Sequence, residues 1–184
     1  MQNSYLNSVV KQFEYYKSLG EKTFDQLSEE DLFWQSDAEA NSIAIIVKHM
    51  VGNMLSRWTN FLSEDGEKSW RNRDDEFENS FTTRQDIIDA WEKGWSCLFD
   101  ALNQVNDDNL ESIVYIRNHG HTITEAINRQ LSHYSYHVGQ ITFIGRMLKK
   151  DGWVSLSVAK NKSKEYNADK FSKEKRRTHF TDDL

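Results

Sequence analysis

Apolar side chains recur every three or four positions along four long stretches of the chain, the spacing that gathers them on one face of an α-helix. The first stretch, from about Ser4 to Leu27, carries Leu6, Val9, Val10, Phe13, Tyr16 and Leu19 in this register. Ser28-Glu-Glu-Asp31 follows as a capping box that opens one short turn. The second helix starts at Asn41 or Ser42, both good N-caps, and runs to about Leu62. Ile43, Val47, Met50, Met54, Trp58 and Phe61 form its inward stripe. Residues 63–80 are polar and read as a long connection, suited to a crossover between non-adjacent or parallel helices rather than to a tight hairpin.

The third helix opens at Thr82-x-x-Gln85, again a capping-box pattern, and turns Ile88, Trp91, Trp95, Leu98, Leu102 and Val105 inward. Beside them Ala90, Gly94, Cys97 and Ala101 form a stripe of small residues, against which another helix can pack closely, in the same chain or across a dimer. Ser112-Ile-Val-Tyr-Ile-Arg117 has strand-like content and Asn118-His-Gly-His121 reads as a turn, so a short hairpin or loop is expected there. The fourth helix begins at Thr122-Ile-Thr-Glu125 and stops at Lys149-Lys150-Asp-Gly152. The expected fold is all-α: a four-helix bundle over residues 1–157, with a long connection between helices two and three, and a charged tail over 158–184, partly packed or disordered.

Composition narrows the partners. The 184 residues contain no proline, which suits uninterrupted helices, and 23 aromatic residues, enough to fill a core. The net charge is -6, yet residues 158–184 hold 8 Lys/Arg against 5 Asp/Glu, so the acidity lies in the body. An acidic body lacks the basic footprint that backbone phosphates demand, so no nucleic-acid partner is expected. The run Lys173 to Arg177 reads as a solvated terminus. Mean hydropathy is -0.77, and no stretch approaches the roughly 18 apolar residues of a membrane span. Without a basic segment leading into an apolar one at the N-terminus, no secretory leader is expected, and the expected compartment is the cytoplasm. The single cysteine, Cys97, excludes an intramolecular disulfide and reads as packing rather than as a nucleophile.

Candidate chemistry lies on the fourth helix. His133-Tyr-Ser-Tyr-His137 places two imidazoles one turn apart on one face, among the inward positions Ile123, Ile127, Tyr134, Val138, Ile141 and Ile144. His49 borders the stripe of the second helix and is a candidate third ligand, with Asn53 and Arg57 extending along its side and Gly52 leaving room for a close neighbour. Three histidines leave an open position on a transition metal, as a catalytic site requires, and suit zinc, nickel, copper or ferrous iron. The plainer alternative is a set of hydrogen-bonded core histidines. His119 and His121 form a second, turn-borne pair that reads as ordinary loop histidines, and His179 lies in the tail. Arg57 reads equally as a surface residue paired with Glu64 or Asp65. Tyr134 and Tyr136 read as packing residues rather than acids.

The string Asn41-Ser-Ile-x-x-x-x-Lys-His49-Met-x-Gly-Asn53, followed late by His133-x-x-x-His137-Val-Gly-Gln140-Ile, resembles the DinB-like superfamily of small metal-binding four-helix bundles, in one of its uncharacterised branches. Trp153-Val-Ser-Leu-Ser157 and Ser163-x-Glu-x-Asn167 fit the same branch, so the resemblance covers roughly residues 1–167. It implies a divalent metal, most often nickel or zinc, held by His49, His133 and His137, and a homodimer. Some relatives transfer low-molecular-weight thiols such as bacillithiol or mycothiol. Two functions of different class follow. One is a metal-dependent thiol S-transferase in which Asn53 or Arg57 orients the substrate; the other is a non-catalytic dimeric bundle whose metal fastens helix two to helix four.

Overall fold

The computed structural model describes residues 4–183, and the chain is mostly helical. Four long helices, α1 (Ser4–Phe24), α3 (Ile43–Trp58), α4 (Arg84–Leu102) and α5 (Ile123–Lys149), enclose the core. Two short ones, α2 (Glu29–Phe33) and α6 (Ser163–Phe171), and a hairpin of β1 (Ile113–Ile116) and β2 (His119–Thr122) complete the regular elements. The caps account for where the helices begin. Ser28 and Asp31 form the expected box on α2, Ser42 accepts from the Ile45 N–H at the start of α3, and Thr122 with Glu125 caps α5. At α4 the box sits one residue later than expected, on Thr83 and Asp86, because the Asp86 carboxylate reaches back to the N–H groups of both Thr82 and Thr83. In the first turn Ile87 rather than Ile88 is the buried residue, while Trp91, Trp95, Leu98 and Leu102 are buried as expected.

Helix α3 packs along α4, and α1 along α5. In the first pair Val51 and Met54 meet Gly94 and Thr59 meets Cys97, so the two helices run the same way. In the second pair Tyr5 bonds to Thr124 and Asn128 while Thr23 and Leu27 meet Gly145, again parallel. Parallel neighbours cannot be joined by a tight turn, and the long segment between α3 and α4 returns the chain to the starting end. A Cβ on Gly94 would stand 3.0 Å from the Met54 Sδ and 3.1 Å from the Val51 Cγ2, so part of the small-residue stripe serves packing inside the chain.

Phe13, Trp91, Trp95 and Tyr134 meet at the centre, with ring centroids 5.4–6.2 Å apart and tilted or edge-on geometry. All four are essentially without solvent contact. The Tyr134 hydroxyl accepts from the Trp58 indole N–H at 3.1 Å and donates to the Asn53 side-chain oxygen at 3.0 Å, which links the aromatic core to the polar side chains of α3. Tyr134 is thus a packing residue, as read from the sequence, whereas Tyr136 is exposed and packs little. Helix α6 buries no residue; beyond it Phe180 meets the Tyr15 ring edge-on at 5.5 Å, His179 bonds to Ser8 at 3.1 Å and Asp182 pairs with Lys11. Within the run of basic residues, Lys173 pairs with Asp169 and Arg176 with Asp183. No helix among the described residues is long and apolar enough to cross a membrane.

Candidate metal centre

Histidines 133 and 137 share one face of α5 because four residues make slightly more than one turn. Across from them α3 presents His49. One ring nitrogen of each of the three lies within 4.8 Å of the others, close enough to bind one metal ion. His119 and His121 take no part: they lie on β2, where His121 reaches Arg129 at 3.5 Å.

Neighbouring groups fix which nitrogen two of the three rings offer. The His137 Nδ1 lies 2.8 Å from the Gln140 Oε1, and Gln140 in turn donates to the Tyr136 hydroxyl at 3.2 Å, so the proton belongs on Nδ1 and the lone pair on Nε2. The His49 Nδ1 lies 3.0 Å from the Glu76 Oε2, which fixes its tautomer the same way. The Nε2 atoms of His133 and His137 face each other at 3.0 Å. That contact is an ordinary hydrogen bond when His133 carries its proton on Nε2; with the proton on Nδ1 instead, both lone pairs turn to one point, a donor set that fits a divalent ion. A carboxylate or amide oxygen behind a ligating imidazole is the usual support of such a site.

Glu76 had no sequence signal as a site residue. It sits in a short 3-10 turn, Asp74–Phe77, inside the segment read as a polar connection, yet it is buried. Burial opposes its ionisation, but hydrogen bonds from His49 and Arg71 outweigh that and hold its carboxyl below the usual range. Arg71 clasps it with two bonds, Nε to Oε1 at 2.7 Å and Nη2 to Oε2 at 2.9 Å. The nearest sequence hint was Phe77, an aromatic residue in a polar stretch, whose ring stacks on His49 at 4.9 Å. What approaches Gly52 is this same carboxylate: a Cβ there would stand 2.6 Å from the Glu76 Cδ.

Asn53 and Arg57 lie along α3 on the side of His49, and all three line a cavity of about 260 Å³ together with His133. Arg57 is buried and donates to the Gly66 carbonyl and to Glu67 at 3.0 Å, so its partner is neither Glu64 nor Asp65. Burial pushes the His133 pKa down to about 3 from its ordinary 6.5, with the charges of His137, His49, Arg57 and Arg71 acting the same way. His137 is lowered chiefly by burial. Burial thus favours the neutral form of both rings, the form that ligates metal.

A stability prediction follows. In the unfolded chain His133 takes up a proton below about pH 6.5, whereas the folded chain resists until far lower pH, so stability falls as pH drops through that window and is untouched by this group above it. Melting temperature of chelator-treated protein is expected to fall by several degrees between about pH 7 and about pH 5. The fall should be smaller in His133→Ala, and equal slopes in the two proteins would remove the histidine as the cause.

No curated protein and no solved structure matches the chain. The family model that does match covers residues 1–162, which take in α1 to α5, the histidine cluster and the cavity beside it. The chain belongs to the family described as protein of unknown function (DUF1572).

Proposed function

We propose that the chain is a divalent-metal protein of the DinB-like kind, a four-helix bundle acting as a metal-dependent thiol S-transferase, with nickel or zinc as the ion and a homodimer as the assembly. The observation that carries this reading is the convergence of His49, His133 and His137 beside a polar cavity. A purely structural site has no use for a cavity next to its ligands, whereas a catalytic one needs an open approach. A divalent ion held there supplies the positive charge that makes a thiol easier to ionise near neutral pH.

The remaining residues bind and orient. The Asn53 oxygen is occupied by the Tyr134 hydroxyl, which leaves its amide N–H groups for a ligand. Arg57 sets a positive charge on the wall, and Gln140 and Glu76 hold two of the rings in place. In the overall reaction the thiol gives its proton to water, its sulfur bonds to the electrophilic carbon, and the leaving group departs with that carbon's former bonding pair.

Metal-loaded protein is expected to consume a low-molecular-weight thiol in the presence of an alkylating electrophile faster than the chelated form, as read by loss of free thiol. Equal rates with every cellular thiol tried would sink the transferase reading and favour the alternative, in which the ion fastens α3 to α5 in a non-catalytic bundle.

A further inference from the structure

An acidic protein concentrates positive charge at one place. Five guanidinium groups line the cavity beside the histidines: Arg57, Arg71, Arg73, Arg117 and Arg129, with Gln130 among them. The carboxylates that reach these arginines are Glu67, paired with Arg57, Arg71 and Arg117, and Glu76, paired with Arg71. Two carboxylates against five guanidiniums leave the wall positive by three. Asp65 lies close by, and its ionised carboxylate, which accepts from the backbone N–H groups of Glu67, Arg117 and Asn118, lowers that excess to two.

The unbalanced groups are at the rim. Arg73 lies over the Phe77 ring at 5.1 Å, and Arg129 reaches only His121, at 3.5 Å; among the described residues neither forms an ion pair. Arg117 is held there at a cost. It occupies the first loop position of the hairpin with φ 54°, a left-handed conformation that side-chain-bearing residues avoid, and Asp65 clamps the backbone of that loop.

We propose that this cavity binds a small molecule carrying two oxyanion charges, as carboxylates or as phosphate, held by Arg73, Arg117 and Arg129 beside the histidine cluster. Guanidinium forks match either oxyanion in two-point contacts, so the shared chemistry is the paired negative charge. At about 260 Å³ the cavity suits a small metabolite rather than a peptide-sized one. The inference rests on the reading of the histidine-lined cavity as a ligand site, but not on thiol chemistry.

The test is calorimetric titration of the full chain, metal-loaded and chelated, with succinate and with inorganic phosphate. Saturable binding of at least one probe is expected in both forms. Arg73→Ala and Arg129→Ala, both at exposed positions, should each weaken it about tenfold or more. Arg176→Ala, in the tail and paired with Asp183, should leave it unchanged. Tighter succinate binding identifies a dicarboxylate, and tighter phosphate binding a phosphorylated ligand. No saturable binding of either probe, rim variants that bind like the parent while folded by circular dichroism, or equal weakening by Arg176→Ala would each overturn the site. Anion binding lost with metal content intact defeats this inference alone; anion binding kept in a protein that holds no metal leaves it standing and defeats the metal reading.

Discussion

His49→Ala and His137→Ala are each expected to strip the purified protein of most of its divalent metal, from about one ion per chain to less than about a tenth of that after dialysis, as read by elemental analysis. The size of the effect follows from the geometry. Among the described residues the three ring nitrogens are the donor set, within 4.8 Å of one another, so losing one leaves two imidazoles, too few to retain an ion against buffer. Removing a supporting group alone costs roughly 10–100-fold in affinity, and removing a ligand costs more. The two side chains belong to different helices. Truncating His49 leaves the Arg71–Glu76 pair intact, and truncating His137 removes from α3 only the edge-on contact with the His49 ring at 4.9 Å. A fold defect common to both is therefore not expected to explain a shared loss. Metal content unchanged in both would end the assignment of the site.

Glu76→Ala should act on stability and on metal binding at once. Its carboxylate neutralises Arg71, whose side chain is only 2% exposed, and it orients His49. With Glu76 gone, Arg71 keeps only its 3.2 Å contact to Glu67, a carboxylate already shared with Arg57 and Arg117. Breaking one side of a buried pair costs on the order of 3–5 kcal/mol, and the remaining contact sets the expectation at about 3 kcal/mol, measured by urea unfolding of chelated protein. Loss of the support behind His49 should separately weaken metal binding by about 10–100-fold. Gly52→Ala tests the same contact from α3: its new methyl displaces the carboxylate, so metal binding should weaken with a smaller loss of stability. Stability of Glu76→Ala within about 0.5 kcal/mol of the parent would show that Arg71 does not depend on this partner.

The features that were legible in the sequence are those set by local periodicity. The inward stripe of α3, from Ile43 to Trp58, is buried as the spacing predicts, and so are Trp91, Trp95 and Leu98 of α4. His133 and His137 were legible because a four-residue step fixes a shared face, and His49 because it borders a strong stripe. The cavity wall was not legible. Arg71, Arg73 and Glu76 belong to a segment whose composition is that of a solvated loop, and no local signal separates a buried ion pair from two surface charges. The one-residue shift at the start of α4 has a similar origin. Thr82 and Thr83 are equivalent caps in one dimension, and only the reach of Asp86 decides between them. Arg57 is the instructive case: its position on the α3 face was readable, but its partner Glu67 depends on how the connection folds back.

The parallel course of α3 and α4 bears on how the centre assembles. His49 and His133 come from distant parts of the chain and meet only after the crossover and the hairpin have been placed, so no early fragment offers all three rings. An ion held by all three rings would favour the folded chain over the unfolded one, and its contribution would be complete only once α3 and α5 stand together.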